Sequence, residues 1–354
     1  MATSTTSTPM TVIDERVTTV DARRDSSGDA VLLTPVQLEA ALGWEVHPDS
    51  LCRGDRCVPV APGQVQRPDG LVDLAAVARA LDRPLVVDAA AGLCAIGRPS
   101  ELRQRVLRDL QVPESLELPD LEGTPRRLSE WRGRKCLLVV VASWCGCGFE
   151  LPSWQAVQDE LGGDGLTVVA VALDDDPARV RPLADGLSLP VLYDPGRLLP
   201  EVFAVSNVPT VLWIDESGRV ARPPGVAHGS DLFAEFTGIL SGPHLDALRR
   251  WVRDGTLPLS PSQAADAVAD LSDEEVRARL HFRIAAEAHA RGDDETTRRH
   301  VARAGALAPD DLAVWRAAMP LVGEDPFGPD FLERYESWRE RGSPAHALPP
   351  IPGP

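Results

Sequence analysis

The sequence predicts an α/β protein: a mixed central sheet with helices on both faces, preceded by a small α+β domain and followed by a helical region. Three observations carry this. Between residues 113 and 240, apolar runs of strand length alternate with helical patterns, which is the mark of βαβ units. Before residue 113, short strand-like and short helical segments are mixed, and beyond residue 241 the apolar spacing is helical. A chain of 354 residues is expected to hold two or three domains, and its 44% hydrophobic content can fill their cores.

Residues 1–28 are rich in Thr, Ser and Asp and are expected to form a disordered tail. The small domain spans residues 29–112. Pro35 to Leu42 and Leu71 to Leu81 read as helices, Leu85 to Val87 and Leu93 to Ile96 as strands, and Ser100 as the cap of a helix from Glu101 to Leu110. In the central segment, 113–240, strands are expected at Lys135 to Ala142, Leu166 to Leu173, Val191 to Tyr193, Thr210 to Asp215 and Arg219 to Ala221. Helices are expected at Phe149 to Leu161, Pro177 to Gly186 and Leu198 to Phe203. The region 241–354 should carry helices at His244 to Arg253, Asp273 to Arg291 and Asp294 to Leu307, and end in a loose Pro-rich tail.

The net charge of −17 argues against nucleic acid and anionic membranes as partners. No stretch is long and apolar enough to span a membrane, and residues 1–28 lack the apolar core of a signal peptide, so a cytoplasmic location is expected. Structural disulfides are disfavoured there, and reactive or metal-binding cysteines correspondingly favoured.

The most informative segment is Trp144-Cys145-Gly146-Cys147-Gly148-Phe149-Glu150-Leu151-Pro152. It joins an apolar strand to the start of a helix, whose free N–H groups and partial positive charge stabilise a thiolate, the reactive form of cysteine.

This segment and four others give the central domain its resemblance to a known family. They are Leu118-Pro119-Asp120-Leu121-Glu122-Gly123, Leu128-Ser129-Glu130-Trp131-Arg132-Gly133, Val208-Pro209-Thr210 and Trp213-Ile214-Asp215-Glu216-Ser217-Gly218. In that order they resemble the thioredoxin fold, and most closely the TlpA/ResA-like branch of thiol–disulfide oxidoreductases. The resemblance implies thiol–disulfide exchange in which Cys145 attacks, Cys147 resolves the mixed disulfide and Glu150 tunes the thiols. It implies a cis Val208–Pro209 peptide beside the cysteines, with Pro209 and Thr210 orienting the substrate backbone and Trp144 shaping access. The implied partners are a protein or small-molecule thiol or disulfide substrate and an unidentified thiol reductant; no metal or cofactor is expected.

Two departures stand out. The family's Cys-x-x-Cys is here Cys145-Gly146-Cys147, while Glu150 and Pro152 keep their places relative to the second cysteine. The buried acid that thioredoxin carries six residues before its first cysteine is here Val139, leaving Glu150 as the nearest carboxylate. Proton transfer then falls to Glu150 or to water, unless Glu150 serves only the helix dipole. Residues i and i+2 can meet the distance a disulfide needs but rarely its torsion without strain, which Gly146 would ease by its backbone freedom. A readily reduced couple is therefore expected. Three alternatives stay open: a thiol peroxidase using Cys145, a soft-metal site of two thiolates with further ligands, and a non-catalytic interaction module.

Cys52 and Cys57 flank a tight loop. They could form a disulfide, bind metal, exchange with Cys145, or simply be small buried hydrophobes. Cys94 and Cys136 read as core residues. Residues Ile284 to Asp311 resemble one tetratricopeptide-type helical hairpin, and the seven histidines show no paired metal spacing. His228 lies in the loop after the last central strand, where it could approach the active-site end of the fold.

Overall fold

A computed structural model of the chain describes residues 7–24, 30–267 and 269–352. These fall into two units, residues 1–100 with 272–308 and residues 101–271 with 309–354.

The first unit is built on a six-stranded sheet in the order Val72–Asp73, Val31–Leu33, Val17–Arg24, Ser7–Ile13, Leu93–Ile96, Leu85–Asp88. The expectation of a disordered tail over residues 1–28 is thereby corrected for the described part, residues 7–24. The remainder, 1–6 and 25–28, lies outside the described residues. Ser7–Ile13 sits inside the sheet, antiparallel to Val17–Arg24 and parallel to Leu93–Ile96. The polar composition hides a period of two. Met10 and Val12 pack on one face with Leu38 and Val77, from the helices Pro35–Leu42 and Leu74–Ala80. Ile13 packs on the other face with Leu93, Ala95, Leu280, Ile284 and Ala288.

The last three of these belong to the helix Asp273–Ala290, which pairs with Asp294–Leu307. The hairpin expected within a single helical region 241–354 thus covers the N-terminal sheet. Its apolar face meets Ile13 and Leu93 where a solenoid would place another repeat. Arg283 fastens it by donating to Ile96 O at 3.0 Å. Because Ser7–Ile13 is an inner strand, removing residues 1–16 should speed amide exchange in Leu85–Asp88 and Leu93–Ile96 by about a hundredfold or more, measured by mass spectrometry.

Cys52 and Cys57 stand directly opposite each other on the hairpin Ser50–Arg53/Arg56–Pro59 and are bonded, with S–S 2.06 Å. They are not buried, and their sulfurs take each other as partners, which corrects the readings as small buried hydrophobes and as a metal site. Cys94 and Cys136 are buried, and burial pushes both thiols up to about 12.

The second unit carries a five-stranded sheet in the order Val191–Tyr193, Leu166–Ala172, Lys135–Val141, Thr210–Ile214, Val220–Gly225. The first three strands run parallel, and Thr210–Ile214 is antiparallel to both of its neighbours, Lys135–Val141 and Val220–Gly225. Leu137 to Val141 are almost wholly inaccessible, as a continuous apolar run covered on both faces requires. The helix Leu151–Leu161 buries Leu151, Trp154, Val157 and Leu161 at helical spacing, and in Gly242–Asp254 Trp251 stacks on Trp213 at 5.0 Å.

Residues 309–354 belong to this unit, so a boundary at 240/241 does not describe it. Asp311 caps the helix Leu312–Ala318 by accepting from Val314 N. Leu312, Trp315, Met319, Phe331 and Trp338 make a small core between that helix and Pro329–Glu340. Ala313 N donates to Ser206 O at 3.1 Å. The tail expected to be loose is paired through Leu348, whose N–H donates to Pro224 O at 2.7 Å and which bridges Gly225. Pro349 and Pro350 lack an N–H, so this pairing rests on Leu348 just before them. Among the described residues, no helix is long and apolar enough to cross a membrane.

Candidate active site

The strand Lys135–Val141 delivers the chain to Ser143 and Trp144, where Asp174 holds the turn. Buried just beyond the neighbouring strand, Asp174 accepts from Ser143 N at 2.9 Å and from its Oγ at 2.5 Å. Trp144 Nε1 donates to Leu173 O at 3.1 Å. Cys145, still extended, caps the 3-10 turn Gly146–Glu150, and its Sγ accepts from Cys147 N at 3.4 Å. The turn runs into Leu151–Leu161, with Pro152 in the first helical turn, where a missing N–H costs nothing.

The structure changes the reason for Gly146. Its backbone is not left-handed, so no special conformation is needed there. Room is what matters: a Cβ at this position would lie 2.7 Å from Phe233 Cζ.

The Val208–Pro209 peptide is cis, and Val208 O lies 3.7 Å from Cys145 Sγ. Asn207 Oδ1 accepts from Val208 N at 2.8 Å, and Thr210 Oγ1 donates to Asn207 O at 2.7 Å. Cys145, Cys147, Val208 and Pro209 line one cavity of about 640 Å³. Trp144 and Thr210, expected at the substrate, are 5% and 1% exposed and do not line it. Their polar groups are spent on Leu173 O and Asn207 O, so they shape the two loops from behind.

The two thiols differ. Burial opposes ionisation of Cys145, but the Cys147 thiol, the Arg316 charge and the Cys147 N–H outweigh it, aided by His228, and hold Cys145 down at about 7. Burial, then the neighbouring Cys145, pushes Cys147 well above the ordinary thiol range. A thiolate beside a protonated thiol is the division of labour that attack and resolution require.

Glu150 is fully buried. It accepts from Ser230 N at 3.1 Å and Ser230 Oγ at 3.0 Å, and its Oε2 lies 2.7 Å from His228 Nδ1. It does not line the cavity, but His228 does. With Glu150 as acceptor, Nδ1 carries a hydrogen, and Nε2 is buried without a hydrogen-bond partner. Glu150 thus acts through His228. Val139, where thioredoxin has its acid, pairs with Ala170 and Val211 in the sheet and has no part in this.

Of the groups near the thiols, the sequence pointed to Glu150 and, by its place after the last central strand, to His228. Ser230 and Arg316 had no signal. Arg316 comes from Leu312–Ala318, more than 160 residues after the cysteines. It is fixed by donating to Pro326 O through Nε (3.1 Å) and Nη2 (2.9 Å), and its guanidinium lies 3.7 Å from the Phe331 ring centre.

Residues 110–222 match the model of the AhpC/TSA family. The chain is 29% identical over 108 residues to the thiol-disulfide oxidoreductase ResA of Geobacillus thermodenitrificans (strain NG80-2), covering 30% of this chain and 62% of that protein. It thus spans less than two thirds of the length of that relative. It is 31% identical over 124 residues to the thioredoxin-like protein YneN of Bacillus subtilis (strain 168), covering 32% of this chain and 72% of that protein. Among solved structures, the pneumococcal exposed lipoprotein thioredoxin Etrx1 of Streptococcus pneumoniae strain TIGR4 is 31% identical, with 32% of this chain and 91% of that chain covered and a TM-score of 0.29.

Proposed function

The chain belongs to the thioredoxin-like AhpC/TSA family, and from that premise we propose that it is a thiol–disulfide oxidoreductase working through Cys145 and Cys147. The observation that carries the reading is one cavity holding a thiol lowered to about 7, a second thiol raised well above the ordinary range, and a cis-Pro loop. The Cys145 thiolate attacks one sulfur of a disulfide, forms a mixed disulfide and expels the other sulfur as a thiolate. Cys147 attacks Cys145 Sγ, and its proton passes to the sulfur released, so that the second half of the substrate leaves as a thiol. Two electrons pass from the cysteine pair to the substrate. A thiol reductant returns them.

Of the other readings, a soft-metal site loses two candidate ligands, because Cys52 and Cys57 are bonded to each other. The test is capture. Cys147→Ser should accumulate a mixed disulfide at Cys145 when given a disulfide, seen as an added mass that a reductant removes. The proposal fails if Cys145→Ser exchanges at the wild-type rate, or if the Cys147→Ser protein stays unmodified with every disulfide offered.

A further inference from the structure

The space above the thiols has a chemistry of its own. Its walls are mostly apolar, with Phe233 lining it together with Phe331, Tyr335 and Leu348 of the C-terminal segment. Eight large hydrophobic side chains are exposed among the described residues, and four of them line this cavity: Phe149, Phe236, Phe327 and Leu332. Scattered exposed apolar residues need no explanation, but half of them around one opening do. At about 640 Å³ the cavity falls in the range that encloses a small molecule. Cys145 and Cys147 are only 5% and 2% exposed, so a disulfide has to enter the cavity to meet them.

The chain's own tail fills part of the space an extended polypeptide would need. Leu348 is paired to Pro224 and Gly225, and His346 N donates to Ser206 Oγ at 2.9 Å, one residue before the loop at Asn207. Residues 347–350 line the same cavity as Val208 and Pro209. A peptide laid along the cis-Pro loop would have to displace this strap, whereas a small molecule would not.

We propose that the substrate is a small disulfide with an apolar body, taken whole into this cavity. The inference rests on the exchange reading above and narrows its substrate class. In R–S–S–R′, Cys145 displaces R′S⁻ and keeps RS. Cys147 then displaces RS⁻ from Cys145, RS⁻ takes up the proton that Cys147 gives up, R′S⁻ takes up one from solvent, and both leave as thiols. The cysteine pair is oxidised to one disulfide and the substrate reduced to two thiols. Leu332 and Phe331 grip the hydrocarbon, while His228 and Arg316, which line the same cavity as the cysteines, serve the sulfurs.

The experiment uses the full-length Cys147→Ser protein and three probes: dibutyl disulfide, bis(2-hydroxyethyl) disulfide and insulin. The rate of mixed-disulfide formation at Cys145 is followed by mass. Dibutyl disulfide is expected to react at least tenfold faster than its hydroxyethyl counterpart, with insulin slowest. Adding Leu332→Asp at the exposed mouth should lower the dibutyl-to-hydroxyethyl rate ratio at least fivefold, a ratio that partial misfolding leaves unchanged. Equal rates for the two small disulfides, an unchanged ratio in the Leu332→Asp protein, or insulin reacting fastest overturns the substrate class and leaves exchange standing. Reaction with none of the three overturns exchange itself.

Discussion

Replacing Arg316 with Leu should raise the pH midpoint of Cys145 alkylation by about one unit from its value near 7. The guanidinium is the largest charge acting on this thiol, and it works from a dry setting against a strong burial penalty. The rate change has two opposing parts. At pH 7 the thiolate fraction falls about fivefold, but a more basic thiolate is roughly threefold more nucleophilic, so the net rate drops only about twofold. Above pH 9 both proteins are ionised and the variant should be about threefold faster. The crossing of the two profiles is the diagnostic. A merely structural role for Arg316 would slow the reaction at every pH. Arg316→Lys, which keeps the charge but loses the double contact with Pro326 O, should move the midpoint much less. A midpoint unchanged in the Leu variant would remove Arg316 from the account.

Arg316 also shows where sequence reasoning stops. The central strands were legible because parallel strands covered on both faces must be continuous apolar runs, as Leu137 to Val141 are. The cysteine loop was legible because it is a short segment whose residues carry its geometry, whereas the cis Val208–Pro209 peptide was implied by the family resemblance and not by its own residues. The strand Ser7–Ile13 was obscured because Thr and Ser dominate its surroundings and only Met10, Val12 and Ile13 carry the alternation. The groups that tune the thiols were hardest to read. His228 reaches Glu150 across 78 positions, and Arg316 shares the cavity with Cys145 from a helix whose Ala313 N donates to Ser206 O beside the cis-Pro loop. No local pattern records a long-range contact of that kind, since the residues that make it are ordinary in their own neighbourhoods. The hairpin Asp273–Ala290/Asp294–Leu307 taught the same lesson from the other side. Its helices were legible, but the surface that covers them was not.

The second large effect concerns redox poise. The Cys145–Cys147 couple is expected to lie well above the potential of thioredoxin, about −270 mV, and inserting one glycine after Gly146 should lower it by at least about 60 mV. Two causes act in the same direction. With one residue between the cysteines, the Cα separation a disulfide needs is attainable but its torsion near 90° is strained, which destabilises the oxidised form. The reduced form is stabilised in turn, because Cys145 near pKa 7 gains from Cys147, Arg316 and His228 interactions that a disulfide sulfur cannot use. The insertion relieves the first cause and leaves Arg316 and His228 in place. A fall of 60 mV corresponds to about 2.8 kcal/mol, a plausible size for strain in one small ring. Because Phe233 lies over Gly146, the added residue has to be glycine; a bulkier one would push the ring aside and confound the comparison. Equilibration of both proteins with glutathione buffers, read by alkylation and mass, gives the two potentials. A wild-type value at or below that of thioredoxin, or an insertion that leaves the potential unchanged, would show that the short loop closes without strain. The Arg316→Leu protein separates the second cause: its potential should fall as its Cys145 midpoint rises, because a thiolate that is harder to form is a weaker reason for the couple to stay reduced.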